Sequence, residues 1–335
     1  MSRGSHTTSE KGNTLDKALR PRTWQDYVGQ EKTKQNVRII IKAAKQRKEP
    51  PCHLLFHGNP GLGKTTLSHL IAKEIDSEIK IISGPSVEKA GDLAAILSNL
   101  EPGSVLFCDE IHRLGRTIEE MLYPAMEDFR LHLILGRGPM ARTMELDLPK
   151  FTLIGATTRL ASISAPLRSR FGAIFGLNFY TVEDIERILE RSCCLLGVKA
   201  MPAAIEIIAQ RSRFTPRTAN QLLKRVRDFA QVAQEEIITK EIAEKALEAL
   251  EIDQHGLTLN DRRILEAIVN KFDGGPVGLK TLAAATAEEE ETILDIYEPY
   301  LMRAGLVSRT PRGRIATKLA LKYLISNRNE QAGLL

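Results

Sequence analysis

The octapeptide Gly58-Asn59-Pro60-Gly61-Leu62-Gly63-Lys64-Thr65 constrains this chain more than any other stretch of it. It fits the pattern G-x-x-x-x-G-K-[ST] at every fixed position, and its surroundings are those the pattern needs. An apolar run, Leu54–His57, precedes it and reads as a strand, and residues 65–75 follow with helical spacing. A strand feeding a glycine-rich turn and then a helix offers backbone N–H groups and a positive helix end to phosphates. Gly61, Leu62, Gly63 and Thr66 then wrap the phosphates. Lys64 reaches the β- and γ-phosphates of a nucleoside triphosphate, and the Thr65 hydroxyl holds Mg2+.

One βα unit later, the apolar run 105–108 ends in Asp109-Glu110. Asp109 can hold Mg2+ through its water shell, and Glu110 can polarise an attacking water. Binding needs only the first acid, so the second points to ATP hydrolysis.

The chain has 335 residues, 43% hydrophobic and 27% charged, enough for two or three domains. It has no uncharged apolar run of about 18 residues, which argues against a transmembrane helix. Residues 1–14 are Ser/Thr/Gly-rich without an apolar core and read as a disordered tail rather than a signal peptide, so a cytoplasmic location is expected. Cys52, Cys108, Cys193 and Cys194 form no CxxC pair and suit a reducing compartment. The formal charge of +5 permits nucleic-acid binding without establishing it.

Three textures follow one another. Over 15–180, strand candidates Leu54–His57, Ile79–Ser83, 105–108, 151–156 and 174–179 alternate with helical stretches such as 65–75 and 89–100, which predicts a parallel, doubly wound α/β domain. Over 181–256 the chain reads as wholly helical, with helices at 184–195, 203–211, 218–233 and 239–250 and with Thr181, Thr218 and Thr239 as N-caps. Over 257–328, helices at 258–271, Leu279–Thr286 and 288–304 precede a hairpin at 305–317 that turns at Pro311-Arg312-Gly313, the pattern of a winged helix-turn-helix. Residues 329–335 read as a frayed tail.

Together the phosphate loop and the acidic strand end resemble the AAA+ ATPases. Longer strings narrow the resemblance to the RuvB family of Holliday junction branch-migration motors. They are Leu19-Arg20-Pro21, Tyr27-Val28-Gly29-Gln30, Ser83-Gly84-Pro85, Asp109-Glu110-Ile111-His112-Arg113-Leu114, Leu122-Tyr123-Pro124-Ala125-Met126-Glu127-Asp128, Gly155-Ala156-Thr157-Thr158-Arg159, Gly274-Gly275-Pro276-Val277-Gly278-Leu279 and Arg309-Thr310-Pro311-Arg312-Gly313-Arg314. They occur in the family's order, and the resemblance covers residues 15–318.

The resemblance implies a P-loop AAA+ core with a parallel sheet, an all-α lid and a C-terminal winged-helix domain. It implies a hexameric ring around duplex DNA, which uses ATP and Mg2+ to migrate Holliday junctions in recombination and repair. It also assigns roles. Thr158 resembles sensor 1, Arg170 the arginine finger that reaches a neighbouring subunit's ATP (with Arg168 as the competing candidate), and Arg217 sensor 2. Adenine contacts map to Leu19, Arg20 and Tyr180, although Tyr180 suits a core aromatic nearly as well. Glu127, Asp128 and Phe129 map near the nucleotide of an adjoining subunit. Many relatives have Tyr at position 129, so here any role rests on the backbone or ring. Relatives also usually have Gly where this chain has Phe214.

Residues 131–148 read as a β-hairpin with a Gly/Pro tip carrying Arg137. In the family this hairpin docks the partner RuvA, and RuvC is a further partner the resemblance allows. Arg303, Arg309, Arg312, Arg314 and Lys318 cluster at the wing. Arg309 and Arg314 carry the family's DNA role most directly, through phosphate contacts rather than base reading. A clamp-loader-like ATPase, an ATP-assembled winged-helix regulator and a protein unfoldase are the competing classes. The DEIHR string and the wing oppose the first, and Glu110 the second. The lack of an aromatic between Gly84 and Gly91 opposes the third.

Overall fold

Leu54, Leu55 and Phe56 are buried on both faces of strand β1 (Leu54–His57), which pairs in parallel with β6 (Thr152–Thr157) on one side and β7 (Ala173–Gly176) on the other. Continuous apolar runs of this kind belong to parallel sheets covered on both faces. β2 (Ile79–Ser83) and β3 (Val105–Asp109) complete a five-stranded sheet in the order β2-β3-β6-β1-β7, parallel throughout. The computed structural model describes residues 18–135 and 142–332. The expected tail at 1–14 and the hairpin tip with Arg137 lie outside the described residues. The chain divides into two units, Met1–Tyr180 and Thr181–Leu335.

In the first unit, helices α1 (Glu31–Arg47), α2 (Lys64–Glu74), α3 (Ala90–Ser98), α4 (Arg116–Glu127) and the short α5 (Ala165–Ser169) accompany the sheet. Leu93, Leu97, Ile118, Leu122 and Met126 from α3 and α4 join Leu106, Cys108 and Leu153 in one core. An antiparallel hairpin, β4 (Arg130–Leu135) with β5 (Arg142–Asp147), is inserted before β6. Its base is anchored by buried Leu131 and Leu148, while Met144, paired with Leu133, is 41% exposed.

The second unit opens with α6 (Val182–Leu196), α7 (Pro202–Gln210), α8 (Pro216–Val232) and α9 (Lys240–Ala249). This region is not wholly helical: β8 (Lys199–Ala200) and β9 (Ile237–Ile238) form a short parallel ladder, too brief for a two-residue periodicity to register. Thr181 and Thr239 cap their helices as expected, but the third cap is Thr215 rather than Thr218. Pro216 takes the first helical position, where its missing N–H costs nothing, and this moves the start back by three residues.

The remainder forms its own apolar core. Thr258 caps α10 (Leu259–Glu266) in a reciprocal box with Asp261, and the helix widens into a π turn over Ala267–Lys271. α11 (Leu279–Thr286) follows. Then come α12 (Glu290–Thr292), a π turn over Ile293–Tyr297 and α13 (Glu298–Arg303). The wing is β10 (Val307–Thr310) against β11 (Gly313–Ala316). The tail expected at 329–335 is corrected in part, because α14 runs over Lys318–Ala332. It is held by Ala320, Tyr323 and Leu324 at three- and four-residue spacing. Among the described residues, no helix is long and apolar enough to cross a membrane.

Candidate nucleotide site and wing

The phosphate loop leaves the carboxyl end of β1, and Asp109-Glu110 leave the carboxyl end of β3; both strands flank β6. Open parallel sheets bind ligands beyond these ends. Gly58, Gly61 and Gly63 have φ of 143°, 80° and 96°, values that side chains rarely adopt. A Cβ on Gly58 would meet Leu177 O at 2.6 Å, and one on Gly63 would meet the Tyr27 hydroxyl at 2.9 Å. The buried Lys64 ammonium donates to Gly58 O at 2.7 Å and Asn59 O at 2.9 Å, inside its own loop. A cationic donor folded on its loop's carbonyls, in a backbone only glycines allow, fits a polyphosphate.

Thr65 and Thr66 begin α2 and are half-buried, and Leu62 is buried. Tyr180 is also buried, and its hydroxyl donates to Leu62 O at 3.2 Å, so this aromatic is tied directly to the loop. Burial, with Tyr180 alongside, pushes the Tyr27 hydroxyl well above the ordinary tyrosine range. Leu19 is buried, and Arg20 donates to His69 Nε2 on α2 at 3.1 Å. Burial, aided by Arg20, lowers the His69 pKa; burial and Lys64 together do the same to His57.

Glu110 has a left-handed backbone (φ 49°), and its N–H donates to Asp109 Oδ1 at 3.0 Å. Its carboxylate accepts from Arg113 at 3.2 Å. Gly84 leaves room for this turn, since a Cβ there would meet Glu110 O at 2.4 Å. Burial pushes the Cys108 thiol up to about 12, with Asp109 adding to it, so this thiol stays protonated beside the acids.

Thr158 is the first residue past β6 and is half-buried. Its neighbour Thr157 carries a link that sequence reasoning missed: Thr157 Oγ1 lies 3.0 Å from His112 Nδ1 and accepts from Arg159 N at 2.9 Å. The ends of β3 and β6 are thus joined through the histidine of the DEIHRL string. Its place two residues beyond Glu110 was the available signal.

Arg170 closes α5. Its guanidinium lies over the Tyr123 ring at 4.3 Å and donates to Glu127 at 3.1 Å and to Pro166 O at 2.8 Å. Arg170 and Glu127, expected separately at a subunit boundary, are therefore brought together. Asp128 is exposed beside them, and Arg168 is half-buried on α5. The Phe129 ring packs edge-on to Phe151 at 5.8 Å and beside His53 at 6.3 Å, which leaves its backbone for any contact with a nucleotide.

In the second unit, Arg217 is exposed in the first turn of α8. At the wing, Arg309 and Arg312 are exposed, as are Arg303 and Lys318. Arg314 is not: its side chain is 9% exposed and donates to Glu298 Oε2 from Nε at 3.1 Å and from Nη2 at 2.8 Å. The expectation that Arg314 faces DNA is corrected to this extent. Its residue pairs with Arg309 across the wing, and backbone hydrogen bonds to Val277 turn that side chain inward.

A P-loop nucleotide-binding core of the AAA+ type, followed by a helical lid and a winged helix, is the class this fold and site define. The family model described as the Holliday junction DNA helicase RuvB P-loop domain matches residues 19–177. The RuvB AAA lid domain matches 180–253, and the RuvB C-terminal winged helix domain 254–325. The Holliday junction branch migration complex subunit RuvB of Dehalococcoides mccartyi is 55% identical over 324 residues, 96% of this chain and 93% of that protein. Its counterpart in Chloroflexus aurantiacus is 54% identical over 310 residues, 92% and 89% of the two chains. The structure of the Thermotoga maritima RuvB Holliday junction branch migration motor superposes with a TM-score of 0.85 at 48% identity, covering 92% of this chain and 98% of that one. The chain belongs to the RuvB family.

Proposed function

We propose that the protein is an ATP-hydrolysing DNA motor that drives branch migration of Holliday junctions, working in the cytoplasm as a ring of six copies on duplex DNA. The observation that carries this reading is the arrangement at the sheet. The Lys64 loop and the Asp109-Glu110 pair leave strands that flank one shared neighbour, β6. They lie in a chain whose P-loop, lid and winged-helix regions all match the RuvB family.

Lys64 exchanges its loop carbonyls for the β- and γ-phosphates of ATP, and Gly61, Leu62, Gly63 and Thr66 line them. Thr65 and Asp109 would hold Mg2+, which would supply charge neutralisation at the phosphates. Glu110 orients and polarises the attacking water. Thr158 monitors the γ-phosphate from the end of β6. Leu19, Arg20 and Tyr180 frame the base. Arg170, with Glu127, Asp128 and the backbone of Phe129, serves the site of the next subunit, where the guanidinium neutralises developing charge. Arg217 brings the lid to the phosphates.

Arg309, with Arg312, grips the DNA backbone; Arg314 acts by holding the wing strands in place. The hairpin 131–148 meets RuvA through the outer part that carries Met144, whose exposed apolar surface suits a protein contact. RuvC joins the same assembly. The test is dissociation of a synthetic four-way junction with ATP, with and without RuvA. Partner-stimulated, ATP-dependent dissociation is expected. ATP hydrolysis with no junction processing would return the chain to the clamp-loader or regulator classes.

A further inference from the structure

The loop that leads into α8 is fastened to the winged helix. Arg213 and Phe214 both have left-handed backbones, φ 56° and 55°. A left-handed backbone at two successive side-chain-bearing residues is a conformation that glycine adopts more readily. Each side chain reaches a helix of the winged-helix region. Arg213 Nη2 pairs with Asp261 Oδ2 on α10, a carboxylate with no exposed side-chain surface. The same guanidinium donates to Gly256 O and Thr258 Oγ1, each at 3.4 Å, and lies over the Tyr300 ring of α13 at 5.1 Å. The Phe214 ring packs against Tyr300 at 6.3 Å, and the Arg303 guanidinium lies over it at 5.3 Å.

Tyr300 is fixed in turn. Its hydroxyl donates to His255 O at 2.5 Å, and burial pushes its pKa up to about 12. Gly256 has no room for a Cβ between Arg211 O and the Tyr300 hydroxyl, at 2.9 and 3.0 Å. Beyond the fastening, the chain reaches Arg217 within four residues. Thr215 is buried and accepts from Thr218 N, and Pro216 occupies the first helical position. This leaves little slack between the Arg213 contact and the first turn of α8.

We infer that Arg213 is a positioning residue that couples the DNA-engaged winged helix to Arg217, so that movement of α10 and α13 on DNA resets the start of α8 and with it the ATP-facing arginine. The inference rests on the reading of Arg217 as the lid's phosphate contact and of the wing as the DNA contact. A planar guanidinium suits this link because it can pair with Asp261, reach Gly256 and Thr258, and lie flat on Tyr300 at once. The buried carboxylate keeps the link in one geometry, since an unpaired charge there is strongly disfavoured.

The test compares full-length wild type, Arg213→Ala and Arg213→Lys. ATP turnover is measured with and without linear duplex DNA, together with the duplex Kd and the KM for ATP, after circular dichroism has established that each variant is folded. For Arg213→Ala the inference predicts that DNA stimulation of turnover falls about tenfold, within the usual range of site-to-site coupling. DNA-free turnover, KM and the duplex Kd stay near wild type. Arg213→Lys keeps the charge opposite Asp261 but loses the fork, and regains part of the stimulation; it also stands in if Arg213→Ala does not fold. A folded variant that keeps full stimulation overturns the inference. So does one in which stimulated and DNA-free turnover fall in the same proportion. Wild type that shows no DNA stimulation overturns the DNA-motor reading itself, and the inference with it.

Discussion

Arg314 donates twice to one oxygen of Glu298, at 3.1 and 2.8 Å, and both side chains are under 10% exposed. The other carboxylate oxygen faces Arg309 Nε at 4.0 Å. This pair joins β11 to α13, so it sets where the exposed Arg309 stands. Glu298→Ala would leave Arg314 buried and uncompensated, and a loss of about 3–5 kcal/mol is expected for breaking such a pair. Urea unfolding followed by circular dichroism measures it. A change below about 0.5 kcal/mol, typical of unconstrained surface sites, would mean that the pair is exposed to water in solution.

Gly63 meets two demands that no other residue meets. Its φ is 96°, and a Cβ would press on the buried Tyr27 hydroxyl at 2.9 Å. Gly63→Ala should cost about 1–3 kcal/mol through backbone strain. If half of that falls on the loop's binding geometry, the Kd for ATP rises about two- to tenfold, as titration with a fluorescent analogue would read. Unchanged affinity would place the phosphates away from this turn.

His53 is held neutral by its partners. Nε2 faces Met126 O at 2.9 Å and must donate, while Nδ1 accepts from Leu153 N at 2.9 Å. A second proton would put N–H against N–H, and burial already lowers the pKa. The folded value therefore lies below the unfolded one, about 6.5. Stability is unaffected above that value and falls as pH drops through it toward the folded pKa, because only the unfolded chain takes up the proton. Melting temperatures at pH 7.5 and 5.5 should differ, and His53→Asn should reduce the difference. Equal slopes with and without His53 would mean that its protonation does not contribute to the pH dependence.

Glu110→Gln should retain ATP binding and lose about 10²–10⁴-fold in turnover. Arg170→Ala should do much the same while leaving the fold of each subunit intact, since its partners Glu127 and Tyr123 lie at the surface or half-buried. Mixing the two inactive variants should restore part of the turnover, because some interfaces then combine an intact Glu110 with a neighbour's intact Arg170. No recovery on mixing would place Arg170 in its own subunit's site or outside catalysis.

The first unit was legible because its central strands β1, β3 and β6 are buried on both faces and its outer strand β2 is still mostly apolar. Apolar runs such as Leu54–His57 and Ile79–Ser83 stand out without tertiary information. The β8–β9 ladder did not, because two residues carry no period. The cap at Thr215 was hidden by a second threonine three residues on, and Pro216 was the signal that separates them. Charge at the wing could be counted from sequence, but its direction could not. Arg314 turns inward because Glu298, sixteen residues away, is buried at the same place. Arg213 and Asp261 were invisible for a related reason, since a lone arginine and a helix-capping aspartate become a pair only when two folded regions meet.

Whether hydrolysis drives junction movement is measured by dissociation of a labelled synthetic four-way junction by wild type and Glu110→Gln, each with ATP or a non-hydrolysable analogue and with RuvA present. Wild type is expected to dissociate the junction with ATP only, and Glu110→Gln not at all although it still binds ATP and DNA. Dissociation by Glu110→Gln, or by wild type with the analogue, would contradict this, because junction movement would then not depend on hydrolysis at the site built from Lys64, Asp109 and Glu110.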